Sequence, residues 1–237
     1  IIKILILKLL NILKFIINIL SLLFLFSMSS QSENDTIYVK NKYGIRAGID
    51  LSKQIRMLTE EYSGLSLYGD IKIKERLFIV AELGNDQKTI ETENINSKLS
   101  GSYIKTGFNY NLYNNLPGLN NEIYVGLRYS QSLFKNELID YSIYNKDRFW
   151  NDQRILEYKE FDNLKSSWIE FVVGFNSEIK NNLFMGLSLR LNRMLKQDIP
   201  ENFTNLFIPG FNKVTENNNF GTGITYSVIY QIPIIKK

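Results

Sequence analysis

Across 237 residues the chain carries 28 lysines and arginines against 24 aspartates and glutamates, and it has neither cysteine nor histidine. Without Cys there is no disulfide framework, no lipidation site and no thiolate metal site. Without His, neither a Ser/His/Asp nor a Cys/His centre nor a His-ligated metal can form. The composition therefore points away from an enzyme, and no cofactor is expected.

Residues 1–27 hold no acid, carry Lys3, Lys8 and Lys14, and end in an apolar run from Phe15 to Phe26 broken only by Asn18 and Ser21. This is the layout of a secretory signal peptide, with Ser27 and Ser29 as the small residues before a cleavage point. The run is shorter than the roughly 20 residues of a spanning helix, which disfavours a membrane anchor. Residues 1–29 are assigned to the signal, 30–42 to a linker and 43–237 to the domain. Removing the three signal lysines leaves 25 bases against 24 acids. A balance so near neutrality does not suggest a nucleic-acid partner.

From Tyr43 onward, segments recur in which every second residue is apolar, the period of a β-strand. Strands are predicted over 43–57, 64–74, 76–87, 101–113, 122–135, 167–179, 182–196 and 220–234. In the last, Phe220, Thr222, Ile224, Tyr226, Val228, Tyr230, Ile232 and Ile234 share one face, while Gly221, Gly223, Thr225, Ser227 and Gln231 share the other. The count is even, and each segment reaches the roughly 9 to 11 tilted residues that cross a bilayer. Tight turns at Lys74–Arg76, Asn114–Asn121 and Lys180–Asn181 alternate with long loops at Lys88–Ser100, Asn136–Ser166 and Gln197–Asn219; only Thr59–Ser63 is short on the long side. The predicted fold is all-β: an eight-stranded antiparallel up-and-down transmembrane β-barrel in a bacterial outer membrane, with lipid against its outer face and long loops outside the cell.

Alternation alone equally fits a secreted lipocalin-like barrel that turns its apolar face inward to a small apolar ligand. Glycine placement favours the membrane form. Gly44, Gly48, Gly84, Gly107, Gly126, Gly174, Gly186, Gly221 and Gly223 lie on the polar face, and Gly69 on the apolar one. Glycine weakens a strand without benefit on a solvated surface, but inside a narrow barrel it makes room for long side chains. The lumen then receives Arg46, Asp50, Arg56, Asp70, Lys72, Glu82, Lys105, Arg128, Glu170, Glu178 and Arg190, six bases and five acids. Such near-equality suits a closed core of paired charges, because an unpaired buried ion costs several kcal/mol. A small channel is the second reading. Carboxylate pairs such as Asp50 with Asp70, or Glu170 with Glu178, have enough bases nearby to end in salt bridges. Tyr43, Phe108, Tyr110, Tyr129, Tyr226 and Tyr230 fall on the outward face as interfacial aromatics.

The long loops carry the candidates for recognition of a surface ligand or protein: Phe149, Trp150, Tyr158 and Phe161 in the 136–166 segment, and Phe207 and Phe211 in the apolar run Leu206–Phe211. The alternative is that these side chains fold over the barrel mouth as a local cluster.

The run Tyr43-Gly-Ile-Arg-Ala-Gly-Ile-Asp-Leu-Ser-Lys53, the following Tyr62-Ser-Gly-Leu65 with Gly69-Asp70, and the closing Tyr226–Lys237 with its Ile232-Pro233 resemble an uncharacterised family of Bacteroidota outer-membrane β-barrel proteins of unknown function. The resemblance implies the barrel over residues 40–237 and assembly by the barrel assembly machinery, but no activity. Ile234-Ile235-Lys236-Lys237 departs from the aromatic ending by which many barrels are read for assembly.

Overall fold

In the computed structural model, which describes residues 44–114, 119–142, 154–214 and 218–233, the two-residue repeat becomes long antiparallel strands. In chain order these are β1 (Gly44–Asp50), helix α1 (Leu51–Thr59), β2 (Tyr62–Lys74), β3 (Leu77–Glu91), β4 (Ile95–Asn111), β5 (Glu122–Ser142), the two-residue β6 (Arg154–Ile155), β7 (Lys159–Lys180), β8 (Leu183–Gln197), β9 (Phe207–Ile208), β10 (Asn212–Lys213) and β11 (Phe220–Pro233). Strands β1, β2, β3, β4, β5, β7, β8 and β11 pair in that order, and β11 returns to β1, so eight antiparallel strands close into a barrel. β6 pairs with the end of β5, and β9 pairs with β10.

Register fixes the faces. Ile45, Ile71, Ile79, Phe108, Leu127, Phe171 and Leu191 are successive cross-strand neighbours from β1 to β8. All seven are exposed, and together they form a continuous apolar hoop on the outside. One residue along, Arg46, Asp70, Val80, Arg128, Glu170 and Asn192 point into the lumen and are buried. This is the reverse of a lipocalin, whose apolar face lines its cavity.

The lumenal glycines accept large neighbours across the ladder. Gly84 faces Tyr103, and Gly174 faces Tyr124. A Cβ at either glycine would lie 2.3 Å from the opposing ring. Gly84→Val is therefore expected to cost about 1 to 3 kcal/mol by overpacking, measured by urea unfolding of the refolded barrel. The same change in a Tyr103→Ala background should cost clearly less.

The structure corrects several element boundaries. The predicted strand 43–57 ends at Asp50, whose carboxylate accepts hydrogen bonds from the Ser52 backbone N–H (2.9 Å) and hydroxyl (2.6 Å) and so caps α1. The helix occupies the wall between β2 and β11 where β1 has stopped, turning Ile55, Met57 and Leu58 outward and Lys53 inward. The expected long loop 88–100 is mostly strand: β3 and β4 continue to a turn at residues 92–94. β5 and β7 likewise run well beyond their expected ends at the same side of the barrel. The tight turns lie at the opposite end, and Asn182 takes a positive φ of 65° between β7 and β8. The signal and linker, residues 1–42, fall outside the described residues, as do Tyr43 and Ile234–Lys237.

Candidate functional site

The charged side chains of the lumen gather in three layers. Nearest the tight turns, Arg46 of β1 forms a two-pronged pair with Asp70 of β2, Nε to Oδ1 at 2.7 Å and the second nitrogen to Oδ2 at 2.8 Å, and reaches Glu122 of β5 at 2.7 Å. Tyr68 donates to Asp70 (2.5 Å) and Asn176 donates to Glu122 (2.9 Å), so both carboxylates are further satisfied. The Phe78 and Phe184 rings lie 4.5 and 5.6 Å from the guanidinium and exclude water from this layer.

In the middle layer Glu82 accepts from Arg128 at 2.9 Å, Arg190 at 3.1 Å and Ser66 at 3.1 Å, with Lys105 3.9 Å away. Glu170 accepts from Lys105 at 2.7 Å and from the Trp168 indole at 2.8 Å, and Arg190 stands 3.6 Å from it. Five charged groups from β3, β4, β5, β7 and β8 thus share one buried volume. Three of the four carboxylate oxygens meet a donor, and the mutual attraction of the charges offsets their desolvation, while Glu170 Oε2, Arg128 Nε and Arg190 Nε have no hydrogen-bond partner among the described residues.

The upper layer is built on Asp86. Its carboxylate receives Lys53 of α1 at 3.0 Å, the Tyr62 hydroxyl at 2.5 Å and the backbone N–H of Gly210 at 2.9 Å. Lys105 donates to the carbonyl of the same Gly210 at 3.0 Å, so the loop between β8 and β11 is fastened through its backbone to two charged layers. Gly210 takes a φ of 81°, a conformation open to glycine, and packs on the Tyr103 ring. The apolar run around it enters the barrel: Ile208 and Phe211 join Tyr103, Phe134, Trp168 and Met194 in one cluster, and Phe207 joins Tyr62 and Leu99 in another. Phe211 meets Trp168 edge to face at 5.7 Å. The loop is a plug.

Phe207 and Phe211 are therefore buried and present nothing to a partner, which corrects their place among the exposed recognition residues. Tyr158 is exposed, and Phe161 stacks on Phe203 at 6.3 Å beside the mouth. Phe149 and Trp150 lie outside the described residues.

Of the expected lumenal charges, Arg46, Asp70, Glu82, Lys105, Arg128, Glu170 and Arg190 are brought together in the lower two layers. Asp50 is buried but serves as the helix cap, well separated in role from Asp70. Lys72 stands near the tight-turn end with its ammonium 6.0 Å from the Phe78 ring. Glu178 accepts from Asn120 at 2.6 Å and from the Asn182 N–H at 2.8 Å, outside the network. Arg56 is a helix residue at the mouth, 4.1 Å over the Tyr62 ring and 2.9 Å from Asn212. Beside it, partial burial raises the Glu60 carboxyl, but Lys88 and Arg56 outweigh that and hold it below the usual range. Glu122 and Asp86 were overlooked, although each shares the parity of its strand's other lumenal residues.

The family model "Domain of unknown function (DUF6048)" matches residues 12–237. Among curated proteins, nothing matches the sequence. The solved structures to which the chain is similar include Neisserial surface protein A, at 11% identity over 81% of this chain and 98% of its own with a TM-score of 0.41, and Ail, the attachment invasion locus protein of Yersinia pestis, at 8% identity over 80% of this chain and 94% of its own with a TM-score of 0.39.

Proposed function

The chain belongs to the DUF6048 family, and from that premise we propose that it is an outer-membrane β-barrel of structural or surface-interaction type in a Gram-negative bacterium, one of the Bacteroidota by its sequence resemblance. Lipid covers the apolar hoop, the lumen is closed rather than conducting, and the molecule does no catalysis. Contact with a surface ligand or protein falls to the mouth end, where β5 and β7 stand beyond the hoop and carry the segment 143–153 between them.

One observation carries this reading. The hoop from Ile45 to Leu191 faces outward while the paired charges and the Phe207–Phe211 plug fill the inside. In water such a surface would be a large apolar patch without purpose; in a bilayer it is the lipid contact. A peptide tag in 143–153 should be accessible on intact cells, and one at Asn181 should not. The same protein in planar bilayers should show no steady conductance. Reversed labelling refutes the orientation, recovery as a soluble periplasmic protein without detergent refutes the membrane assignment, and stable single-channel currents favour the channel.

A further inference from the structure

On the outer wall, where the apolar hoop gives way to polar strand, lies a trough of about 700 Å³ that crosses β3, β4, β5, β7 and β8. Its origin is side-chain size. Ser102 and Ser167, both lining it, point outward between much larger neighbours. Two register irregularities, one in the β5–β7 ladder between Phe134 and Asn136 and one in the β7–β8 ladder between Ser167 and Trp168, bend the wall at this level. Bulges of this kind re-aim side chains locally.

The chemistry along the trough is graded. Leu83 and Ile104, both exposed, form the β3–β4 end of one cross-strand row that runs on through Gln131 and Ser167 to Lys196. Next come hydroxyls and an amide. Ser102 accepts from Asn85 at 3.1 Å, and the Tyr129 hydroxyl accepts from Gln131 at 3.1 Å, so both hydroxyl protons remain to be given to a ligand. At the far end stand the exposed Lys165 and Lys196, against one acid, Asp198, whose carboxylate is already engaged by the Lys165 backbone N–H at 2.9 Å. Acyl-compatible surface, sugar-compatible hydroxyls with a flat tyrosine, and two ammonium groups therefore follow one another around the wall from β3 to β8, with the exposed Leu133 between Ser102 and Lys165.

We propose that this trough seats the phosphorylated sugar headgroup of an outer-leaflet glycolipid, with phosphate on Lys165 and Lys196, sugar hydroxyls on Ser102, Gln131 and Tyr129, and the first acyl chain along Leu83 and Ile104. The proposal rests on the membrane reading above, since it needs the trough at the level of lipid headgroups. It gives the barrel a specific lipid contact in addition to the general one.

The test uses the full barrel, refolded in neutral detergent and transferred to nanodiscs, with retention of added lipid read by native mass spectrometry. The probes are a bis-phosphorylated acylated diglucosamine lipid, its dephosphorylated form, and phosphatidylglycerol. Wild type is expected to retain the phosphorylated glycolipid over both others. Lys165→Gln with Lys196→Gln should lower that retention about tenfold, the scale of losing charge-assisted contacts to phosphate. Ser102→Leu, which fills the trough and leaves the charge unchanged, should lower it as well. Equal retention of all three lipids by wild type overturns the site, as does undiminished retention by the folded double variant or by folded Ser102→Leu. Preferential retention of phosphatidylglycerol makes it a general anionic surface and overturns the sugar assignment. Membrane insertion is scored separately by heat-modifiable mobility in lipid vesicles: failure there strikes the outer-membrane reading, whereas insertion without lipid preference strikes the trough alone.

Discussion

Replacing Glu82 by Gln is expected to destabilise the barrel by about 3 to 5 kcal/mol, the cost of breaking a buried ion network by removing one partner. Glu82 is the shared acceptor of Arg128 and Arg190 and stands 3.9 Å from Lys105. The amide keeps the volume but no longer neutralises the surrounding cations, and its NH2 group points a donor at donors. Urea unfolding in lipid vesicles, followed by tryptophan emission, reads the effect directly because Trp168 donates to Glu170 in the same layer. A loss below about 1 kcal/mol would mean that the lumen is wet enough to screen the cluster. The further change Arg190→Met should restore part of the stability, since it removes one of the cations left without a counter-charge.

Leu187→Arg should cost about 2 to 4 kcal/mol in a bilayer, the range for an arginine on the lipid face near the membrane midplane. Leu187 points outward between Phe175 and Tyr226. Its neighbour Ser188 is buried in the lumen opposite Gly174 and Thr225. Ser188→Arg therefore meets a steric limit instead of a lipid one, and its cost should persist when the barrel is moved from bilayer to detergent, whereas the Leu187→Arg cost should shrink. Equal behaviour of the two variants in both media would contradict the assignment of faces.

The faces were legible because the same physics acts on every strand: a wall with apolar surroundings outside and paired charges inside must alternate. Glycine parity settled which side was which, and Gly84 and Gly174 show why, each yielding its space to a tyrosine across the ladder. The ends of the strands were not legible. Past Gln87 in β3 and before Gly101 in β4 the chain reads Lys-Thr-Ile-Glu and Ile-Asn-Ser-Lys-Leu-Ser, with no strict apolar alternation on the outward face to mark a strand beyond the hoop. Helix α1 was masked by a coincidence of periods. Leu51, Ile55 and Met57 satisfy a two-residue alternation, but Leu51, Ile55 and Leu58 have the i, i+4, i+7 spacing of a helix, and Asp50 before Leu51 was the cap that should have decided it. The plug lay beyond this kind of inference. An apolar run such as Leu206–Phe211 suits either a recognition loop or a buried one, and only the backbone contacts of Gly210 with Asp86 and Lys105 distinguish them.

The early end of β1 has a mechanical consequence. A closed sheet holds its circumference through backbone ladders, each strand fixed to both neighbours along its length. Here the β1–β11 ladder runs only from Gly44 to Asp50, and above it the facing edges of β2 and β11 are separated by α1. Over that stretch α1 is held by side chains, chiefly Lys53 reaching Asp86 of β3 and Arg56 reaching Tyr62 of β2 and Asn212 of β10, in place of a zipped backbone. Those same contacts bear on the plug, through Asp86 to Gly210 and through Asn212 itself. The barrel therefore has one compliant stave, and a pull on the plug from outside would be transmitted to the wall at the point where it can yield without breaking a strand pair.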